Sequence, residues 1–235
     1  MKHLIALLGL FLSPLILCSQ SNMSSELSGF NTLQVSGNIN LEIQTADSGH
    51  LDFEVESQLD QVDVELLDNV LKIKGKTELG NEPALNLTLY FKENLTDIVS
   101  SKGARIISRD TIHGASLALK ATSGGKMELI VAVQSLDVTI SQGSDIILYG
   151  MTNSQNVKVA SWGNYLAYEL EAEDAYIKAS SKSQAKVVAR RIINATSNGK
   201  SFVGYIGEPE STYVKTSLGG EVASFKTKEI ALDRD

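Results

Sequence analysis

Apolar and polar residues alternate with a period of two along most of the chain. No window after residue 26 keeps an apolar repeat of 3.6 residues for three turns. Such alternation is typical of β-strands with one buried and one solvated face. Between residues 29 and 95 the alternating runs are short and are separated by tight turns, and Asp68-Asn69 lies between two of them as a hairpin turn. We therefore expect an antiparallel β part over residues 29–95.

A repeat follows from residue 96 onward. Each apolar run ends at a Ser-x-Gly tripeptide, and a degenerate copy, Ser181-Lys182-Ser183, fills the one gap in the series. By subtraction of their numbers, the leading serines are 22, 18, 20, 20, 16 and 20 residues apart: Ser101, Ser123, Ser141, Ser161, Ser181, Ser197 and Ser217. A period near 20 in strand-type sequence predicts a β-solenoid over residues 96–223.

The corner tripeptides have a structural interpretation. We expect Gly to take a positive-φ turn conformation there, and Ser to bond neighbouring backbone or the equivalent Ser of the next coil. The 16-residue interval that follows the degenerate copy predicts the least regular coil. The charged residues 224–235 are interpreted as a cap or a tail of the solenoid.

The N-terminal segment has the pattern of a signal peptide. Lys2 precedes an apolar stretch, Leu4 to Leu17, that is shorter than the roughly 20 residues of a membrane span. Cleavage fits best after Ser21, so residues 1–21 are assigned as the signal. A lipid anchor at Cys18 is the alternative, less favoured because Leu17 stands where a small residue is usual. We expect an exported chain without a transmembrane span, in the periplasm, at the outer membrane surface or outside the cell.

Composition removes several classes of function. The chain has 28 acidic and 21 basic residues, a net charge of -7, which argues against a nucleic-acid partner. A single cysteine and three histidines provide neither a disulfide framework nor a cysteine-based metal site. The Gly-x-Ser-x-Gly elbow, the HExxH motif and Gly-rich phosphate loops are absent, and the three Ser-x-x-Lys matches lie on the corner repeat, where the lysine should point to solvent. We therefore expect no catalytic residue, no metal and no cofactor.

Two clusters are candidate binding residues. Glu169 and Glu171 alternate, so they share one strand face, and Arg191 lies as far past its corner as Glu171 does, so the two are expected to meet across coils. This cluster is either a solvated ion-pair face or an acidic patch that binds sugar or calcium. Trp162 and Tyr165 lie at and near a corner, where exposed aromatic rings offer sugars and proteins a flat apolar platform.

The strand start Gly37-Asn38-Ile39-Asn40, the repeated Ser-x-Gly corners and the export signal together resemble the head GIN domain family, autotransporter-type adhesins common among Bacteroidetes. The resemblance covers about residues 29–223. It implies a single all-β domain that contains a right-handed β-helix, and it provides no catalytic residue. The degenerate corner at Ser183 departs from the family pattern.

The leading hypothesis is a non-enzymatic envelope or surface module that binds a surface polysaccharide or an envelope protein. Two alternatives remain open. One is a lyase or hydrolase that acts on polysaccharides with the carboxylates of residues 169–174. The other is a structural periplasmic scaffold without a ligand.

Overall fold

The computed structural model describes residues 27, 29–53, 60–76, 83–92 and 94–225. The assigned signal peptide and the proposed lipid site at Cys18 lie outside these residues, and so does the cap or tail after residue 225. The described part contains sixteen strands: β1 Thr32–Ser36, β2 Ile39–Thr45, β3 His50–Phe53, β4 Val62–Leu67, β5 Val70–Gly75, β6 Leu85–Phe91, β7 Asp97–Ser101, β8 Arg105–Thr122, β9 Lys126–Ile140, β10 Asp145–Val159, β11 Asn164–Ala179, β12 Gln184–Val188, β13 Ile192–Asn198, β14 Phe202–Ile206, β15 Ser211–Ser217 and β16 Glu221–Phe225.

Most of these strands stack in parallel as a β-solenoid of about 7 turns with coils of about 19 residues. Each coil has two main faces. Face A follows a tight corner and consists of β12, β14, β16 and the first residues of β8–β11. Face B precedes the next corner and consists of β1, β5, β7, β13, β15 and the last residues of β8–β11. A middle segment joins them, at residues 189–191 and 207–210 in the last coils. The predicted solenoid is confirmed.

The solenoid begins earlier than the sequence indicated. β1 pairs in parallel with β5 on one side and β7 on the other, and β2 pairs in parallel with β6 and β8. The first coil in sequence therefore lies between the second and the third in space. The antiparallel part predicted for residues 29–95 is confined to the β4–β5 hairpin at Asp68-Asn69 and to β3 against β6. Because β3 and β4 pair at this end, they occupy strand edges that the parallel coils leave unpaired.

The core consists of apolar ladders that run from coil to coil. On face B one ladder is formed by successive buried partners of the register: Leu71, Leu33, Ile98, Leu119, Val138, Val157, Ile177 and Ala195. Strand alternation turns one side chain inward and the next outward, so each coil contributes one layer to the same core. The ladder ends at Val214 of β15, which is 49% exposed because no described strand follows it on that face.

Each corner contains two consecutive residues with left-handed backbone, in the φ range that two-residue β-turns of the mirror-image types use. The pairs are 102–103, 123–124, 142–143, 161–162, 181–182, 199–200 and 218–219. Glycine fills one of the two positions in five corners, which confirms its expected role there. Gly163 is different, since Ser161 and Trp162 take the left-handed conformation. A Cβ on Gly163 would lie 2.8 Å from Ile140 Cγ2, so this glycine is required by close packing.

The corner serines do not form a single column. The N–H of Gly143 donates to the carbonyl oxygen of Ser161, so Ser161 is equivalent to Gln142 and not to Ser141. Counted from the left-handed pairs, the coils are 21, 19, 19, 20, 18 and 19 residues long, by subtraction of their first residues. The expected irregular coil after residue 181 is therefore of ordinary length. The sequence misjudged it because two left-handed positions tolerate several residue types, and serine marks neither of them reliably.

Candidate functional site

The outward side chains of face B form three straight columns across the coils. The inter-strand register, and the backbone hydrogen bonds that continue it past the strand ends, place one residue of each column in every coil from β8 to β15. The first column contains Ala118, Asp137, Asn156, Tyr176, Asn194 and Tyr213. The second contains Lys120, Thr139, Lys158, Lys178, Thr196 and Lys215. The third contains Thr122, Ser141, Ala160, Ser180, Asn198 and Ser217. Neighbouring members of a column lie about 4.8 Å apart, the spacing of paired strands.

The second column concentrates positive charge. Lys158 and Lys178 are direct neighbours in the register, and both side chains are exposed. Neither has an ion-pair partner within the part of the chain that the structure describes, and the same holds for Lys120 and Lys215. Like charges directly opposite each other destabilise a sheet. The column is therefore not explained by the stability of the fold.

A shallow groove of about 380 Å³ runs across the coils between the second and third columns. Lys158 and Lys178 line the groove, and so do Val159 and Ala179. Hydroxyl and amide groups are added by Thr139, Ser141, Ser180, Thr196 and Asn198. The groove is open to solvent along its length, so its shape suits an extended partner better than a small enclosed ligand.

Trp162 lies at the corner that follows Ala160 of this groove. Its side chain is 62% exposed, and Lys182 Nζ lies 4.3 Å from the centroid of the ring. The backbone of Trp162 is left-handed, with φ of 66°. A bulky residue in this region is a true outlier, with a conformational cost on the order of 1–3 kcal/mol. The predicted exposed aromatic residue is therefore present, and it stays exposed at a cost to stability.

Tyr165 does not join Trp162 on the surface. It is fully buried and continues an inward ladder of face A between Ile146 and Ala185. Its hydroxyl donates to Gln155 Oε1 at 2.8 Å, and burial raises the pKa of Tyr165 above its ordinary range. No surface ligand reaches this ring, so the expected pairing of Tyr165 with Trp162 is wrong.

The carboxylate cluster is arranged as expected on one strand face, but its arginine partners are shifted by one residue. Glu169, Glu171 and Glu173 are all exposed on the middle segment of β11. Glu171 accepts two hydrogen bonds from Arg190, at 2.8 and 3.0 Å. Arg191 pairs with Asp174 instead. The N–H groups of residues 190 and 191 donate to the carbonyl oxygens of residues 172 and 173, and this stacking fixes which side chains meet.

These ion pairs join neighbouring coils. The Glu171–Arg190 pair is more than half exposed on both sides, and such a pair stabilises a fold by about 0.2–1 kcal/mol. No cluster of three His, Cys, Asp or Glu side chains with a metal-binding arrangement occurs in the described residues. A second groove of about 430 Å³ lies near the N-terminal end beside Asn40, Glu42 and Asp52. Glu42 is already paired with Arg109 at 2.9 Å.

The lysine column was missed at the level of sequence, although a signal for it was present. Lys158 and Lys178 are 20 residues apart, close to one coil, and Lys120 and Lys215 each lie about two coils from the nearer of them. The corners defined by serine were out of register with the left-handed pairs by one or two residues in several coils. The exposed residues could therefore not be aligned into columns until the left-handed pairs were known.

A parallel β-solenoid with short corners, an antiparallel N-terminal end and a flat polar face defines the class of this protein. A family model described as "Putative auto-transporter adhesin, head GIN domain" matches residues 29–209. The chain belongs to this family, as the resemblance in its sequence predicted. No curated protein matches the chain.

Solved structures show the same fold. A "putative adhesin" from Bacteroides fragilis NCTC 9343 superposes with a TM-score of 0.78 at 16% identity, covering 85% of this chain and 94% of the other. A "putative lipid binding protein" from Parabacteroides distasonis ATCC 8503 gives a TM-score of 0.64 at 17% identity, with coverages of 85% and 94%. A "putative adhesin" from Parabacteroides merdae ATCC 43184 gives 0.63 at 17%, with coverages of 85% and 93%. Identities this low establish the fold alone.

Proposed function

We propose that the chain is an exported, non-enzymatic envelope protein of adhesin type that binds a surface polysaccharide or an envelope protein through face B. One observation carries the proposal: the groove beside Lys158 and Lys178 runs across several coils, on a flat face whose lysine column has no ion-pair partner among the described residues. A rigid solenoid presents such a face without reorganisation, which lowers the entropic cost of holding an extended partner.

The contacts of the carboxylate cluster support a binding role over hydrolysis or lysis of polysaccharide. Glu171 and Asp174 are both held by arginines. A general acid or base must instead lie within hydrogen-bond reach of the substrate and exchange its proton freely. The cluster also lies on the middle segment, away from the groove on face B. Glu171→Gln is therefore expected to leave binding unchanged.

The experiment mixes the exported chain (residues 22–235) with a panel of insoluble envelope and plant polysaccharides, with and without calcium, and sediments the solid. Depletion of the protein without new sugar ends is the expected result. New sugar ends would show an enzyme and would contradict the proposal. If neither depletion nor product is seen, cross-linking in cells distinguishes an envelope-protein partner, which keeps the proposal, from a scaffold without any ligand, which overturns it.

A matched pair of substitutions tests whether face B is the contact surface. Ala160 lies in the groove, so Ala160→Phe fills it. Ala132 is an equally half-exposed outward alanine of the middle segment, so Ala132→Phe adds the same bulk elsewhere. Ala160→Phe should abolish depletion and Ala132→Phe should not. Equal binding by both variants would exclude the groove.

Export is the remaining part of the proposal. It is supported by the signal-type sequence of residues 1–21 and by the adhesin description of the family. None of the described residues forms a helix long and apolar enough to cross a membrane. Mass spectrometry of the mature N-terminus from cells distinguishes the two routes. A terminus at Asn22 indicates cleavage after Ser21, and a lipid-bearing Cys18 indicates an anchor. An unprocessed Met1 would contradict export.

A further inference from the structure

Charge is segregated on this molecule despite its net charge of -7. Between residues 118 and 219, face B and its adjoining corners carry a single exposed carboxylate, Asp137, which accepts a hydrogen bond from Asn156 Nδ2 at 2.9 Å, because Asp174 is buried against Arg191. The same surface carries six lysines: Lys120, Lys158, Lys178, Lys182, Lys200 and Lys215. A basic stripe on an acidic molecule attracts anions locally while the remaining surface keeps the protein soluble.

The geometry of the stripe points to a linear anion. From Lys120 to Lys215 the column spans five strand spacings, about 24 Å, along the solenoid axis. The groove follows the same direction, beside Lys158 and Lys178. Lysine acts as a flexible point charge without the fixed bidentate geometry of arginine, so a row of lysines suits repeated charges whose positions vary.

The neighbouring groups indicate what carries those charges. Ser141, Ser180 and Asn198 beside the groove provide hydrogen-bonding partners for sugar hydroxyls. Trp162 at the adjoining corner and Tyr213 on the face are 62% and 60% exposed and offer flat apolar surfaces for sugar rings. Among the described residues, the largely exposed aliphatic side chains of face B and its corners are Val214 and Leu218, both in the last coil, so a lipid bilayer gains no apolar anchor over the groove itself.

We propose that face B binds a linear polyanionic polysaccharide, carrying carboxylate or sulfate groups, that lies along the solenoid axis over Lys120, Lys158, Lys178 and Lys215. This inference rests on the proposed function, because it takes face B as the contact surface. It adds the chemical class of the ligand and its direction on the protein. The net charge of the whole chain opposes such a ligand at long range, and the local stripe overcomes this within about one Debye length, roughly 10 Å at 0.1 M salt.

The test compares dextran sulfate with dextran, which share one backbone and differ in charge, and adds polygalacturonate as a carboxylate polymer. Affinity of the exported chain is measured by biolayer interferometry at 50 and 200 mM NaCl. Dextran sulfate and polygalacturonate should bind, with Kd rising with salt, while dextran should bind at least tenfold more weakly. Equal binding of dextran would overturn the inference and leave the proposed function intact. If no polymer binds, the polysaccharide form of the proposed function fails as well.

The chain offers a matched pair of double variants. Lys158→Gln with Lys178→Gln removes two neighbouring charges from face B. Arg105→Gln with Lys126→Gln removes two neighbouring charges from face A, where they pair with Glu128 and with an aspartate of the next coil. The first variant should weaken binding of dextran sulfate by about tenfold, equivalent to about 1.4 kcal/mol. The second should change it less than twofold.

Two further outcomes decide against the inference. Equal weakening by both double variants would show a general charge effect without a defined face. Binding of single-stranded DNA or of phosphatidylglycerol vesicles as tightly as dextran sulfate would show an unspecific polyanion surface. Far-UV circular dichroism and thermal unfolding of each variant confirm that the comparison is made between folded proteins.

Discussion

The buried pair of Tyr165 and Gln155 gives a stability prediction that depends on the tertiary structure. Both side chains are fully buried, and the tyrosine hydroxyl donates to Gln155 Oε1 at 2.8 Å. Tyr165→Phe leaves this amide oxygen buried without its donor, and such a loss costs about 1–3 kcal/mol. Gln155→Leu leaves the tyrosine hydroxyl unpartnered at a similar cost and also removes the 3.3 Å hydrogen bond from Gln155 to the carbonyl oxygen of Val188.

The double variant, Tyr165→Phe with Gln155→Leu, tests whether the two buried side chains are energetically coupled. Removing both polar groups leaves neither unsatisfied, so its cost should be less than the sum of the single costs by about 2 kcal/mol. Urea unfolding is followed by far-UV circular dichroism and by the emission of Trp162, the one tryptophan of the chain. Coincident transitions by the two probes establish that the free energies are comparable. Strictly additive costs would refute the assignment of a coupled buried hydrogen bond.

The same burial sets a pH dependence. The pKa of Tyr165 is raised from its ordinary 10.0, so the folded state keeps a proton that the unfolded state releases. Stability from this group is therefore fully present below about pH 10 and falls as the pH rises beyond it. Tyr165→Phe should reduce the steepness of alkaline unfolding, and the control Tyr213→Phe, at an exposed position, should not. An unchanged alkaline transition in Tyr165→Phe would contradict the burial.

Three further predictions concern single positions. Gly150→Ala should lower the free energy of unfolding by more than about 2 kcal/mol, because the φ of Gly150 is 109° and the new Cβ would lie 2.1 Å from a backbone carbonyl oxygen. The control Gly143→Ala, with open space around it, should lower it by only about 1–2 kcal/mol, and equal losses in urea unfolding would contradict this. Trp162→Gly should leave the free energy of unfolding unchanged or raise it by up to about 1 kcal/mol, because glycine tolerates the left-handed backbone at this position. Binding of dextran sulfate should weaken in the same variant. A marked loss of stability with intact binding would exclude a ligand role for Trp162. Asp110 accepts two hydrogen bonds from Thr45, and these hold the pKa of Asp110 below its ordinary value. The small contribution of Asp110 to stability is therefore present at neutral pH and is lost in acid. Asp110→Asn should flatten the acid limb of the pH–stability curve, and an unchanged limb would contradict this assignment.

The candidate site shows where sequence reasoning reached its limit. Glu169 and Glu171 were expected to share a face and do so, because strand alternation is a local property. Their partner was expected to be Arg191, and it is Arg190 that contacts Glu171. Which residue meets which across coils depends on how many residues each corner takes up, and this was not readable from the serines.

Tyr165 illustrates the same limit in the core. The sequence around it alternates regularly, and Tyr165 was expected at the surface near Trp162. The register between β10 and β11 shifts after Ile147, where β11 contains one extra residue. Tyr165 precedes this bulge and is buried in register with Ile146, whereas the inward positions after the bulge are Leu170 and Ala172. A one-residue shift reverses the faces of a strand, and the local pattern does not show where it occurs.

The sequence by itself determined the strand content, the coil repeat, the hairpin at Asp68-Asn69 and the family, because these depend on local alternation, on turn chemistry and on a fixed period. The tertiary structure decided three things: the order of the N-terminal coils, the burial of Tyr165, and the alignment of Lys120, Lys158, Lys178 and Lys215 into one column. Each of these depends on the register between strands that are distant in sequence. Hydrogen bonds between neighbouring coils and the packing of a shared core set that register, and neither is encoded within a single coil.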